Sequence, residues 1–505
     1  MSPTSTKLSA QMLADIQGFI TSGYGHLPLA AYLFLEVRDA RGAQRWLTQI
    51  ISSLTTSAPW PLTPGGGKVK PASALNLAFT AAGLAALGLP QQVMCTFAVE
   101  FQEGMALANR SAILGDTGES APDKWELGGP GNPPIHIVLI VHGQSVIQLD
   151  EVCSVQRKLI ADTAGAVAEL TDLTQRGYRP DTSNEPFGFR DGMGQPSIRG
   201  ISGHGVPTGE FILGYQNHYQ LFPPAPVVAA DLDNTDILPP LTNPYHAAAR
   251  MRDLGINGSY VVYRKLEQDV AAFWQFMMRE SVRIKGKEDG GYMVWLASRF
   301  VGRWPGGAPL VLSPDADDLR LAERDDFLYQ GDADGFACPL GAHVRRSNPR
   351  DVLKPYGSEQ SLSMTEAHRM LRRGRTFGPP LFDPRVLKNP GSDASTGILA
   401  RLADDGAARG THFFCVNASI KSQFEFVQHT WCNNPSFGGL NDNKDPLVGD
   451  NNRTDAPSNH MTIPRRPLRE RTAALPRFVK VKGGAYLFMP GVRALRFLAA
   501  FTASA

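Results

Sequence analysis

Cysteine is scarce in this chain and poorly spaced for metal chemistry. Five cysteines, Cys95, Cys153, Cys338, Cys415 and Cys432, are spread over 505 residues. No two form the CxxC pair of a thiolate zinc site or the CxxCH of covalent haem attachment. An odd number in a long chain reads as reduced thiols, hence an intracellular protein. Long apolar runs are missing too: none approaches the ~18 residues that signal a bilayer span. The first twenty residues lack the basic region and apolar core of a secretory signal. The expected setting is therefore the cytoplasm. Charge of one sign is also lacking. Lys and Arg number 50 against 48 Asp and Glu, a net charge of +2, so there is no general electrostatic case for nucleic acid or an anionic membrane as partner. The densest basic run, "RRPLRERTAALPR" (Arg465–Arg477), holds two prolines and no interleaved aromatics. It reads as a solvated surface loop.

The composition that remains is that of a folded globular protein, 42% hydrophobic and 19% charged. The length leaves room for about two to four domains. Strand and helix signals alternate without the regular rhythm of a doubly wound sheet. A strand is expected near Ala31–Val37, followed by an amphipathic helix. "SALNLAFTAAGLAALGLP" gives an extended run and a short helix stopped by Gly88 and Pro90. "IHIVLIV" (Ile135–Val141) is a continuous apolar strand, and a long helix follows in "LDEVCSVQRKLIADTAGAVAELTDL". The pattern returns later: a strand then a helix over Gln268–Met278, and a strand over His412–Asn417 then a helix. "RFVKVKGGAYLFMP" reads as a hairpin turning at Gly483–Gly484, and a closing helix ends the chain. The fold class is α+β, in two halves: residues 1–225 and 255–505. The connector, rich in Gly, Pro and Asn, spans roughly 186–257.

That connector begins with "EPFGFRDGMGQPSIRG" (Glu185–Gly200), four glycines and two prolines around Asp191. Gly and Pro at this density make a shaped loop, and an aspartate inside one is ordinarily a turn former. His343 lies in "GFACPLGAHVRRSNPRD", between a Cys-Pro and an Asn-Pro turn. It is either a loop histidine bonded to backbone or an axial ligand to a metal or haem, with Arg345, Arg346 and Arg350 at hand for anionic groups such as propionates. In "SLSMTEAHRMLRRGRTFGPPL", Ser363 and Glu366 have capping-box spacing, so a helix is expected from Ser363 to a stop at Gly374. Arg369, Arg372 and Arg373 would then crowd its last turn, where cations suit the helix dipole.

Together these segments resemble the dye-decolourising peroxidases. "GFRDG" (Gly188–Gly192) matches that family's GxxDG motif. Further matches run in order from about residue 25 to the C-terminus, including "EFQEGMALANRSAILGDTGES", "LASRFVGRWPGGAPL", "CPLGAHVRRSNPRD", "RRGRTFGPP" and "KGGAYLFMPGVRALRFLA". The chain is similar to the longer members, with extra loops. The resemblance implies two ferredoxin-like modules in a dimeric α+β barrel, with haem b held mainly by the C-terminal one. It implies His343 as proximal iron ligand, Asp191 as distal acid–base, and Arg372, with Arg373 as a one-residue alternative, as distal arginine. Gly192 would let backbone approach the haem without a Cβ, and Arg345 would serve its propionates. An acidic partner for the proximal histidine is expected, with Glu425 in "SQFEFVQ" as the candidate. The implied reaction oxidises dyes and phenols with hydrogen peroxide through a ferryl intermediate. The alternative is a haem-handling protein with weak peroxidase activity, since fold alone does not choose function. The chain ends in "ALRFLAAFTASA" without an extended cargo-type tail, so the expectation is a free cytoplasmic enzyme, with homo-oligomerisation open.

Overall fold

The computed structural model describes residues 7–241, 250–353, 357–389, 391–451 and 459–502. Part of the expected connector (242–249), the start of the polar excursion before the basic run (452–458) and the last three residues lie outside the described residues.

Alternating and continuous apolar runs become ten strands of one antiparallel sheet. From one end the order is Arg375–Phe377, Gln175–Tyr178, Leu29–Val37, Ile137–Gly143, Ser73–Phe79, Val479–Met489, Ser259–Gln268, Gly410–Asn417 and Leu371–Arg372. The tenth strand, Val167–Glu169, pairs with Leu29–Val37. Arg375–Phe377 also pairs with Gly410–Asn417, which closes the sheet into a barrel. The N-terminal and C-terminal strands meet at two narrow seams, the pair Phe79↔Phe488 and the pair Tyr178↔Thr376. Closure removes the exposed edges that antiparallel sheets otherwise present.

Helices pack outside the sheet. Ala40–Ile50 is capped by Asp39, whose carboxylate accepts from the Gly42 N–H at 2.6 Å, and it buries Trp46, Leu47 and Ile50. The long helix expected after "IHIVLIV" is Val146–Ala161, capped by Ser145. Val270–Lys285 starts at the Asp269 cap and ends at Gly286, whose φ of 70° is the left-handed stop that glycine supplies cheaply. It packs on Gly290–Val301 around Phe273, Trp274, Met277 and Phe300, a core separate from the one under the N-terminal helices.

Two local expectations fail, both through tertiary contact. Gly483 and Gly484 do not turn a hairpin; they lie inside the eleven-residue strand Val479–Met489, at a register shift between Val481 and Gly483. A Cβ on Gly483 would come within 2.6 Å of Leu127, and one on Gly484 within 2.6 Å of Met105. These glycines permit close approach, the other meaning of Gly in a strand. The helix expected from Ser363 to Gly374 is instead Glu359–Glu366, capped by Ser358. Leu371 and Arg372 pair with Val416 and Cys415 of the barrel, so sheet pairing displaces the last helical turn.

Candidate functional site

The 185–194 loop is irregular but tied at nearly every residue. Glu185 is half-buried and clamps it: the carboxylate accepts from the Phe187 N–H at 3.0 Å, the Phe189 N–H at 2.9 Å and the Gln268 side-chain amide at 2.6 Å. The Asp191 N–H donates to the Ser183 carbonyl at 2.9 Å, and the Arg190 N–H to that of Pro305 at 3.0 Å. Phe187 and Phe189 are buried anchors, Phe187 packing 4.5 Å from the Phe273 ring. Asp191 and Gly192 stay exposed at the tip, where the Gly192 N–H donates to Asp191 Oδ1 at 2.6 Å. Gly192 has φ +83° and a Cβ there would meet nothing within 4 Å, so open space adjoins the carboxylate.

Two arginines of the 369–372 segment hold the loop's C-terminal part. The Arg372 N–H donates to the Gln195 side chain at 2.9 Å, and Arg372 Nη2 to the Met193 carbonyl at 2.6 Å. Arg369 Nη2 donates to the Gly194 carbonyl at 3.0 Å. Arg373 faces the other way, as alternation along a strand requires. It is buried and donates to the carbonyls of Phe19 and Ile20. Of the two neighbouring arginines, Arg372 is the one on the Asp191 side.

His343 opens the short helix His343–Ser347. Its Nδ1 lies 2.9 Å from Asp445 Oδ2, and Asp445 is fully buried, its Oδ1 accepting from the Leu447 and Val448 N–H groups. Burial alone would raise the Asp445 carboxyl pKa and lower that of the imidazole. Their pairing outweighs burial in both, so the Asp445 pKa is held below and the His343 pKa above its usual range. The charges of Arg372 and Asp191 both reach His343 as well, the arginine opposing protonation and the aspartate favouring it. His343 is enclosed by protein yet leaves 30% of its side-chain surface open. With Nδ1 committed to Asp445, Nε2 is the ring nitrogen left for another partner.

Two expected residues are corrected. Glu425 is not the acid beside His343: it accepts from Arg110 at 2.9 Å and from the Tyr486 hydroxyl at 2.8 Å, in a structural network behind the barrel wall. Asp445 takes that place, and it went unnoticed because "NDNKDPLVGD" holds several acids with nothing local to single one out. Arg345 is not available to a propionate. It is buried, with its guanidinium spent on Asp332 and the Cys338 carbonyl and its face on the Tyr329 ring at 4.5 Å. Arg346 and Arg350 are likewise bound to the carbonyls of Trp431, Asn434 and Asp325. These arginines brace the walls around His343. The cleft beside Gly18, Tyr24 and Trp60 lies apart from these residues.

The donor set fits a haem: one imidazole with Nε2 uncommitted and a buried carboxylate behind it, with a carboxylate and a guanidinium near enough for their charges to reach it. Among the described residues no three His, Cys, Asp or Glu side chains cluster as a metal cage, and a single protein ligand is what a haem iron needs.

The loop clamp yields a stability prediction. Burial pushes the Glu185 carboxyl up to about 7, and its neutral form is favoured on folding. Stability from this group is therefore present below about pH 4.5 and lost as pH rises through about 7, on the order of 3 kcal/mol. His136, His142, His368 and His412 pull the other way, since burial holds their pKa values down. The difference between wild type and Glu185→Gln isolates the effect. In urea melts the variant should gain stability relative to wild type on going from pH 5 to pH 8; a difference that does not change with pH would show that Glu185 ionises without cost.

Comparison with known proteins gives a consistent neighbourhood. Residues 15–175 match the DyP dimeric alpha+beta barrel domain. A dye-decolorizing peroxidase from Mycetinis scorodonius is 27% identical over 96% of this chain and 87% of its own. Among solved structures, a DyP-type peroxidase from Anabaena sp. superposes with a TM-score of 0.71 at 21% identity, covering 98% of both chains. A dye-decolorizing peroxidase solved in complex with 2,6-dimethoxyphenol gives 0.70 at 24%, over 97% of this chain and 99% of that one.

Proposed function

We propose that this chain, similar over almost its whole length to dye-decolorizing peroxidases, is a haem b peroxidase of that kind in which Asp191 moves the proton of hydrogen peroxide, Arg372 steadies the charge and His343 ligates the iron. The observation that carries this reading is the convergence of Asp191 and Arg372, distant in sequence, on one loop close enough for both charges to reach His343. A haem carrier has use for His343 alone and leaves that convergence without a purpose.

When bound, haem would supply the iron that takes peroxide and the oxidising equivalents passed to the reductant. The rest falls to the chain. The Asp191 carboxylate accepts the proton from one peroxide oxygen and returns it to the other as that oxygen departs in water. Its loop is clamped by Glu185 and by the Met193 and Gly194 carbonyls, so the carboxylate stays aimed; a misplacement of about 1 Å can cost a hundredfold in rate. Arg372 has one Nη on Met193, and no other protein acceptor holds its guanidinium among the described residues. The free N–H groups are preorganised for negative charge on the separating oxygens. Asp445 fixes the tautomer and ring plane of His343 and raises its donor strength. Phenols and dyes are the proposed reductants, by analogy with the relative solved with 2,6-dimethoxyphenol. The cytoplasmic setting is part of the same proposal.

The test is turnover. Haem-loaded protein should oxidise 2,6-dimethoxyphenol and an anthraquinone dye only when peroxide is supplied, with Arg372→Ala greatly slowed and Arg373→Lys close to wild type. Haem-loaded, folded protein without peroxide-dependent turnover would favour the haem-handling alternative.

A further inference from the structure

We propose that the arginine-lined cleft between Arg283 and the 465–471 loop binds a small, multiply charged oxyanion of the pyrophosphate type. The site is separate from the residues proposed to hold haem and uses the basic run that its sequence marks only as solvated loop. Thr462–Ile463 pairs antiparallel with Glu470–Arg471, so Arg465–Arg469 forms the reversal of a small ribbon. The ribbon lies against the end of helix Val270–Lys285 and leaves a cleft of about 370 Å³, lined by Arg283, Arg465, Arg466, Arg469 and Arg471 with Glu470 as the lone carboxylate.

The arginines divide into a fixed set and a free set. Arg283 is forked onto the buried carboxylate of Glu280 at 2.6 Å and donates to the Arg471 carbonyl at 2.9 Å. Arg465 pairs with Glu470 at 2.9 Å and lies 5.0 Å over the Trp295 ring, which also meets Arg299 at 4.6 Å and the Tyr292 ring at 5.5 Å. By contrast, Arg466 and Arg469 make no hydrogen bond or ion pair among the described residues; Arg466 only packs 5.2 Å from the Phe336 ring. Arg466 and Arg469 thus bring two guanidinia to the cleft that no carboxylate among the described residues neutralises, and like charges held together in a concavity are relieved by an anion. Guanidinium forks match the paired oxygens of phosphate groups. The fixed pair would define the floor, and Arg466 and Arg469 would close over the ligand.

Size and shape select the ligand class. The volume falls in the range of small-molecule sites. A nucleic acid would want an extended basic track with open aromatic faces for stacking, whereas Trp295 is covered by arginine and the chain's net charge is only +2. More than two guanidinia in one cleft call for more charge than a single phosphate group carries.

Titration calorimetry of the haem-loaded protein with sodium pyrophosphate tests this, with Trp295 fluorescence as a local reporter. Binding is expected, weakening as salt rises, at least about tenfold tighter than orthophosphate, and weakened at least about tenfold in Arg466→Glu/Arg469→Glu. Both positions are exposed, so this variant should keep its haem content, circular dichroism and dye oxidation. No binding at millimolar pyrophosphate, equal binding by the double variant, or orthophosphate binding as tightly would overturn the proposal. So would a short oligonucleotide that binds more tightly than pyrophosphate.

Discussion

Asp191→Asn is expected to slow reaction with hydrogen peroxide by about 10²- to 10⁴-fold, the range typical of a positioned proton-transfer group. Asparagine is nearly isosteric, and its side-chain oxygen can keep the 2.6 Å bond from the Gly192 N–H, so the loop should hold its shape. What is lost is the capacity to take a proton. The deficit should persist into mild acid, where a free carboxylate (~3.9) is still ionised while an imidazole base (~6.5) would be mostly protonated. The measurement is the second-order rate with peroxide against pH for both proteins. Equal rates would reduce Asp191 to a loop former, the ordinary role of such an aspartate.

His343→Ala should lose most of its haem. Among the described residues no other histidine ring is paired with a fully buried carboxylate: His218 meets the part-exposed Glu366, His142 and His412 are sealed among barrel side chains, and His368 is stacked at 3.9 Å on Phe426. Asp445→Asn is the graded companion. It removes the charge behind the imidazole while keeping a hydrogen-bonding side chain, and loss of such an outer partner typically costs 10- to 100-fold in affinity or activity. Haem content by pyridine haemochrome and the Soret position report both variants. Full haem content and an unaltered spectrum in His343→Ala would assign the ligand elsewhere.

The parts of this fold legible in the sequence are those where local pattern and tertiary environment agree. Ile135–Val141 read as a buried strand because both faces of Ile137–Gly143 are covered, and the 185–194 loop read as shaped because its glycines adopt left-handed φ at Gly188, Gly192 and Gly194. Legibility stopped where distant segments decide. Gly483 and Gly484 look like a turn until Leu127 and Met105 press on them. Arg372 looked like a helix terminus until pairing with Cys415 made it a strand residue. At the site, Asp191, Arg372 and His343 stood out through motif resemblance, but Asp445 did not. It lies 102 residues from its partner, in a stretch with no periodic signal. Arg345 misled for the opposite reason: proximity in sequence to His343 implied a shared cavity, while helical geometry turned it into the wall.

The most direct measurement is stopped-flow absorbance of the purified haem-loaded protein mixed with hydrogen peroxide at about pH 5, where a carboxylate base works and an imidazole would not. If Asp191, Arg372 and His343 form a peroxidase site, the Soret band should fall in one phase whose rate rises linearly with peroxide, then recover when 2,6-dimethoxyphenol is added. A Soret band indifferent to peroxide in fully loaded protein would contradict the account and leave a haem-binding barrel without peroxidase chemistry.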